Sequence, residues 1–153
     1  MKNLFAFALL FLQLSAGAAS AAQTKYLNTW SNGRQKTESV MVFEPATSSK
    51  KINSTATISV FGQTNRIASV LDQEWKTESE LRALYIDTCV AEGGTFESIT
   101  VKAGTFNACK KHYLTPDVEM TKWLGEVPPL GTIRMDFKKD EVQTREELIE
   151  FVP

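Results

Sequence analysis

The sequence predicts an α+β fold: a curved, partly closed antiparallel β-sheet of about nine strands with one helix packed on it. Three observations predict it. Short runs rich in β-branched and aromatic residues recur after residue 22, separated by Gly, Pro, Asn and charged turn signals. One segment near the middle changes from the two-residue period of a strand to the helical period. The connections between the strand-like runs are short, which makes neighbours antiparallel.

The chain opens with a segment that stands outside this pattern. Met1-Lys2-Asn3 is positively charged, Leu4 to Leu14 is apolar except for Gln13, and Ser15 to Ala22 is small and flexible. Charged start, apolar middle and small-residue end, with Ala19-Ser20-Ala21 as a small-x-small site, follow the order of a secretory signal peptide. Residues 1–21 are assigned to the signal and 22–153 to a single β-rich envelope domain, although cleavage after Ala18 or Ala22 also satisfies the pattern. A buried N-terminal helix is the competing reading. The apolar run is shorter than the ~20 residues a membrane span requires, and no later stretch is apolar enough to provide one. No cysteine stands at the cleavage region, so a lipid anchor is not expected. The destination is the periplasm or the medium.

Along the mature chain, Lys25 to Trp30 and Gln35 to Phe43 read as strands flanking Asn32-Gly33. An Asn-Gly pair between extended runs signals a tight hairpin whose two central residues take positive φ. Glu44 to Lys51 is a loop by composition. Thr55 to Phe61 and Arg66 to Trp75 form the next pair of strands. Then Thr77 and Glu80 have the spacing of a capping box. Leu81, Leu84, Tyr85, Thr88 and Cys89 follow at i, i+3, i+4, i+7 and i+8, which is one helical face. The spacing predicts a helix over Glu78 to Ala91, stopped by Gly93-Gly94; a strand over Leu84 to Val90 is its rival. Strands return at Phe96 to Val101, Thr105 to Leu114, Val118 to Leu124 and Ile133 to Phe137. Gly125 to Gly131 is a rigid loop containing Pro128-Pro129. Val142 to Val152 is read as an edge strand.

The only two cysteines are Cys89 and Cys109. In an oxidising compartment they most simply pair with each other. Such a bond closes a loop of about 20 residues and is worth about 3 kcal/mol in the chain-entropy treatment. It would pin the end of the helix to the return strand of a hairpin. The redox alternative lacks the Cys-x-x-Cys spacing that tunes catalytic thiols.

Composition and motifs argue against most chemistry. Seventeen basic and 18 acidic residues give a net charge of −1 at pH 7, with no basic footprint for nucleic acid. Two cysteines and one histidine do not make a zinc site. His112 is the single histidine, and a general base needs a nucleophile and an orienting group beside it; no nucleophile elbow is present. Asp117, Glu119 and Glu126 lie near Trp123, but their spacing does not define the carboxylate pair of a glycosidase. No catalytic residue, cofactor or metal ligand is assigned. Trp30, Trp75 and Trp123 read as core or sheet-edge packing, or as one wall of a cavity.

Two stretches carry a resemblance. Glu97-Ser98-Ile99-Thr100-Val101-Lys102-Ala103-Gly104-Thr105-Phe106 resembles a hairpin written E-x-(V/I)-x-V-P-A-G-x-F, with Lys102 at a position where the pattern often has proline. Trp123 to Ile133 resembles W-x-x-x-V-P-x-G-(L/I)-V, with Pro129 inserted beside Pro128. Both occur, in this order, in exported bacterial proteins akin to the DUF3108 group and to the lipoprotein-carrier (LolA-like) half-barrels. The resemblance implies a curved antiparallel sheet wrapped around a helix, on the envelope side of the membrane, and brings no catalytic residues.

The sequence thus points to an exported, non-enzymatic protein that binds a lipid-like or apolar ligand, or an envelope partner, in a concave sheet face. A purely structural or interaction module, docking through a sheet edge or an apolar patch, is the alternative, and a hydrolase the weaker one. A binding role needs no motif, because ligand pockets are mostly apolar. The candidate binding surface is Trp123, Val127, Pro128, Pro129 and Leu130.

Overall fold

The computed structural model describes residues 22–47, 49–60 and 63–153. The expected signal segment, residues 1–21, lies outside them. The strands are β1 (Gln23–Ser31), β2 (Lys36–Pro45), β3 (Lys51–Val60), β4 (Gln63–Glu74), β5 (Thr95–Val101), β6 (Gly104–Leu114), β7 (Glu119–Leu124), β8 (Thr132–Lys139) and β9 (Val142–Val152), with a short helix α1 (Glu78–Leu81) between β4 and β5. All nine form one antiparallel sheet in the order β4-β3-β2-β1-β9-β8-β7-β6-β5. The sheet is open, with β4 and β5 at its two edges. It consists of two meanders, β1–β4 and β5–β9, sewn together where the first and last strands pair.

That seam corrects one expectation. Val142 to Val152 is a strand, but it lies at the centre of the sheet, between β8 and β1. The charged turn before it, Lys138 to Glu141, suggested an edge. The strand instead pairs with β1 from Gln143 to Val152 and with β8 from Val142 to Glu147, and it buries Leu148.

The hairpin joining β1 and β2 also differs in detail. Gly33 has φ of 79°, but Asn32 is not in the left-handed region. Instead the Asn32 side-chain oxygen accepts from the Arg34 and Gln35 N–H groups, at 3.2 and 2.9 Å. The side chain thus does what the second left-handed residue was expected to do, as Asn commonly does in turns.

The sheet curls strongly. In a flat sheet β5 and β9, four positions apart, would be about 19 Å from each other. Here the Ala103 N–H, at the tip of the β5–β6 hairpin, donates to the Leu148 carbonyl of β9. Two irregularities make room for this. The β1–β9 register shifts between Lys25 and Tyr26, and the β7–β8 register between Trp123 and Leu124; bulges of this kind raise local twist. Pairing between β8 and β9 stops at Arg134 and Glu147, so beyond that point the seam opens and the hairpin tip reaches it.

The core fills this curled end. Tyr26, Phe43, Ile52 and Leu148 from the central strands meet Ile99, Val101, Ala108, Trp123, Val127 and Ile133 from the second meander. Tyr26 packs edge-on against Phe43, ring centroids 5.6 Å apart, and its hydroxyl donates to the Thr132 carbonyl at 2.8 Å. Burial pushes the phenol pKa far above its ordinary value, so Tyr26 stays neutral and acts as a fixed hydrogen-bond donor.

Candidate functional site

Three places bring polar or apolar groups together: the junction of crossover segment and sheet, the cavity beside it, and a polar groove near the other end of the strands.

The junction begins as the sequence predicts. Thr77 caps α1: its hydroxyl accepts from the Glu80 N–H at 3.3 Å, and the Glu80 carboxylate accepts from the Thr77 N–H at 2.8 Å. Leu81 is fully buried. The expected helix over Glu78 to Ala91 is present only in part. After Leu81 it widens into an i→i+5 turn, Arg82–Ile86, closed by the Asp87 N–H on the Arg82 carbonyl at 3.0 Å. The extra residue in that turn shifts the helical phase. Leu84, expected on the buried face, is exposed, whereas Cys89 remains fully buried. The segment ends on Gly93, φ 76°. The Gly94 N–H bonds to the Cys89 carbonyl and the Gly93 N–H to the Val90 carbonyl, the two bonds of a Schellman stop.

Cys89 and Cys109 are disulfide-bonded, with Cα atoms 5.6 Å apart. Gly94 lies against the bridge, and a Cβ there would come within 2.8 Å of both sulfurs. Lys111, two residues along β6 from Cys109, has its stem buried and its amine paired with Glu92. A covalent link and an ion pair therefore hold the same turn to the same strand. This junction is structural.

The candidate surface around Trp123 is mostly interior. Trp123, Val127, Pro128 and Pro129 are buried, and Leu130 is half-buried. The Trp123 ring has Lys110 and Arg134, its register neighbours, at 5.4 and 5.0 Å from its centroid, and its indole N–H donates to Glu97. The loop that follows is closed by Gly125 N–H on the Gly131 carbonyl and Gly131 N–H on the Val127 carbonyl, at 2.7 and 2.8 Å. The Pro128 carbonyl accepts from the buried Thr24 hydroxyl. The loop plugs the open seam between β8 and β9 and leaves only one edge accessible.

That edge borders a cavity of about 610 Å³ that is broadly open to solvent. Trp75, Pro128, Phe151 and Val152 supply apolar wall, and Thr77, Glu78, Ser79, Arg82 and Glu126 a polar rim. Of the five residues expected to form a surface, only Pro128 lines it. Trp75 is the tryptophan that fits the cavity-wall reading. Sequence reasoning missed Phe151 and Val152. They come from the far end of the chain, and only the β1–β9 pairing brings them beside the segment after β4. At the rim the Arg82 guanidinium lies 3.2 Å from the Glu126 carboxylate and 3.9 Å from Asp87.

The polar groove encloses about 570 Å³ and includes Thr29, Lys36, Glu119, Thr121, Asp136 and Arg145 in its lining. His112, exposed on β6, has its Nδ1 3.0 Å from the Thr121 hydroxyl. Asp136 sits opposite Thr121 in the register, but its carboxylate is bound by Arg134 and Arg145. Partial burial opposes its ionisation; the two guanidinium groups outweigh that and hold its carboxyl below the ordinary carboxylate range. An acid locked between two arginines is a poor orienting partner for a histidine. Glu119 is the first residue of β7 and Glu126 lies two residues beyond its last, Leu124, so the carboxylates near Trp123 in sequence are not gathered. Among the described residues no group of His, Cys, Asp and Glu is placed to hold a metal ion.

One further carboxyl is displaced from its ordinary value. Burial raises the pKa of Glu146, on β9, and the charge of Lys122 only partly offsets it. An acid whose folded pKa is raised stabilises the fold while protonated, and that contribution is lost as pH rises through the raised value. Glu146→Gln is therefore expected to raise the melting temperature at pH 7 and to leave it unchanged below about pH 4, as measured by thermal melts across pH. A variant that is less stable at pH 7 would show that the ionised carboxylate contributes favourably.

What the fold and these sites define is a class: a disulfide-stapled α+β protein built on an open, curled sheet of nine antiparallel strands with one short helix. No protein-family model matches the chain, and no curated protein matches it.

Proposed function

We propose that this is an exported, non-enzymatic protein that binds a lipid-like or otherwise apolar ligand in the cavity bounded by Trp75, Pro128, Phe151 and Val152. The observation that carries this reading is the cavity itself. Its volume of about 610 Å³ falls within the range of small-molecule sites, about 300–1,000 Å³, and its walls are apolar while its rim is polar. That arrangement suits an amphiphile with its chain inside and its head at the rim. Arg82 is the group to meet an anionic head. Its exposed pairs with Glu126 and Asp87 are of a kind worth about 1 kcal/mol or less, so opening them costs little.

Export is supported by the signal-like start and by the Cys89–Cys109 bond, which belongs to an oxidising compartment. Among the described residues no helix is long and apolar enough to cross a membrane. Kinship with the DUF3108 group and the lipoprotein-carrier half-barrels is part of the same proposal. That resemblance implies a curved antiparallel sheet wrapped around a helix; the sheet here is open and curled, and its helix is only four residues long. The ligand site moves, however, from a broad concave face to the end of the sheet.

Native mass spectrometry of the protein purified from its own compartment is the direct test. A bound small molecule is expected, lost in Trp75→Ala and Phe151→Ala. In solution, titration with a medium-chain fatty acid is expected to change tryptophan fluorescence in the parent protein and not in Trp75→Phe. Absence of both a co-purifying mass and a Trp75-dependent response would overturn the proposal.

A further inference from the structure

The edge strand β4 is weakly protected for a sheet edge. It is 12 residues long, contains no Lys or Pro, and is exposed along its whole length except at Leu71. Ile67 and Val70 are 58% and 62% exposed. Natural edges are ordinarily shortened, covered, bulged, or armed with lysine or proline. The opposite edge, β5, is only seven residues long. In β4 the pairing with β3 is regular from Gln63 to Leu71 and irregular only after it.

We propose that β4 is a self-pairing edge: two copies of this chain join β4 to β4, antiparallel, about a two-fold axis through Ser69. The argument is one of register. In an antiparallel pair, facing residues either both turn their N–H and C=O groups toward each other or both turn them away. Along an edge strand only alternate residues do so, which restricts a self-pair to registers centred on a residue. Centring on Ser69 places Ile67 opposite Leu71 and Ala68 opposite Val70, each twice by symmetry, and brings Arg66 to the side of Asp72, the first residue of the stretch where the β3–β4 register shifts. Apolar residues then meet apolar residues on both faces, and opposite charges meet on the face that carries Ala68 and Val70. Centring on Ala68 places Arg66 opposite Val70 and Asn65 opposite Leu71. Centring on Val70 places Ala68 opposite Asp72 and Ile67 opposite Gln73. Only the Ser69 register is complementary throughout. An interface that meets itself this way is the isologous contact of a two-fold dimer. It would extend the open sheet across both subunits and bury the exposed Ile67 and Val70. Asp72 is already near a cation of its own chain, Lys51 at 2.8 Å, but its side chain is 95% exposed and has oxygen to spare for a second partner.

The register makes the test specific. Analytical ultracentrifugation of the mature chain is expected to show a monomer–dimer equilibrium. Arg66→Asp puts acid opposite Asp72 in both halves and is expected to weaken the dimer about tenfold or more. The swap Arg66→Asp with Asp72→Arg restores opposite charges and should restore the dimer. Ser69→Cys places two thiols across the axis, where facing Cα atoms are about 4.5–5.5 Å apart, within disulfide reach. It should form a covalent dimer on mild oxidation, whereas Ala68→Cys should not. Circular dichroism checks that each variant keeps the sheet. A chain that stays monomeric at the highest soluble concentration overturns the proposal. So does a dimer that Ala68→Cys cross-links as well as Ser69→Cys, or one that the charge swap fails to rescue.

Discussion

Removing the bridge with Cys89→Ala and Cys109→Ala is expected to cost about 3 kcal/mol of stability, or roughly 10 °C in melting temperature for a domain of this size. The magnitude comes from the loop that the bond closes, 20 residues in sequence separation. The location says why it matters. The segment between α1 and β5 makes few regular backbone bonds, and its wide turn at Arg82–Ile86 is an irregular stretch of helix. Without the bond, the Lys111–Glu92 pair and Leu81 remain to hold it. Urea denaturation is the measurement. The variant's slope should also rise, because an uncross-linked unfolded chain exposes more surface. A loss under about 1 kcal/mol would mean that packing alone holds the turn. The bridge has a second signature at Gly94, where a Cβ would lie 2.5 Å from the Cys109 sulfur. Gly94→Ala should be costly in the parent protein and less so once both sulfurs are gone, the remaining cost coming from the Cys89 backbone carbonyl 2.9 Å from the same Cβ, a coupling that a double-mutant cycle reads directly.

The second large effect is expected at Gly131. Its φ is 79°, and a Cβ there would run into the Tyr85 ring, well inside van der Waals contact. Gly131→Ala thus combines left-handed backbone strain, about 1–2 kcal/mol, with overpacking against an aromatic ring, about 1–3 kcal/mol. Gly33 provides the control. It has the same φ of 79°, but a Cβ placed there would have no neighbour within 4 Å, so Gly33→Ala should show the backbone cost alone. Chemical denaturation of the two variants separates the contributions. Equal losses would mean that Tyr85 swings away freely and does not clamp the Gly125–Gly131 loop.

Much of the fold was legible because strand period, turn residues and caps are local. The Thr77–Glu80 box is formed as its spacing predicts, and Gly93 takes the left-handed conformation that ends the segment. The Cys89–Cys109 bond followed from the expectation of export and from the absence of any other cysteine in the sequence. Where sequence and structure part over the helix, the missing information was non-local. The wide turn that exposes Leu84 depends on where Leu81 and Cys89 must both be buried. Asn32 meets its turn through a side-chain bond that composition does not specify.

The candidate site was far less legible. Trp123 and the Pro128-Pro129 loop drew attention as large apolar groups on a rigid stretch. The β7–β8 irregularity and the open seam turn them inward, where the loop serves as a plug. Trp75 became a cavity wall because Phe151 and Val152 arrive from the other end of the chain.

The sequence by itself determined the class of the protein, its antiparallel hairpins, its helical stop and its covalent bridge. These depend on residues within one element or on a pairing with a single partner. Only the tertiary structure decided that the last strand is central, that the sheet curls until β5 reaches β9, and that a cavity opens at its end. Those features arise from the β1–β9 pairing between strands more than a hundred residues apart. Both strands read alike whether central or at an edge, because backbone hydrogen bonds to a neighbour leave no mark on side-chain alternation.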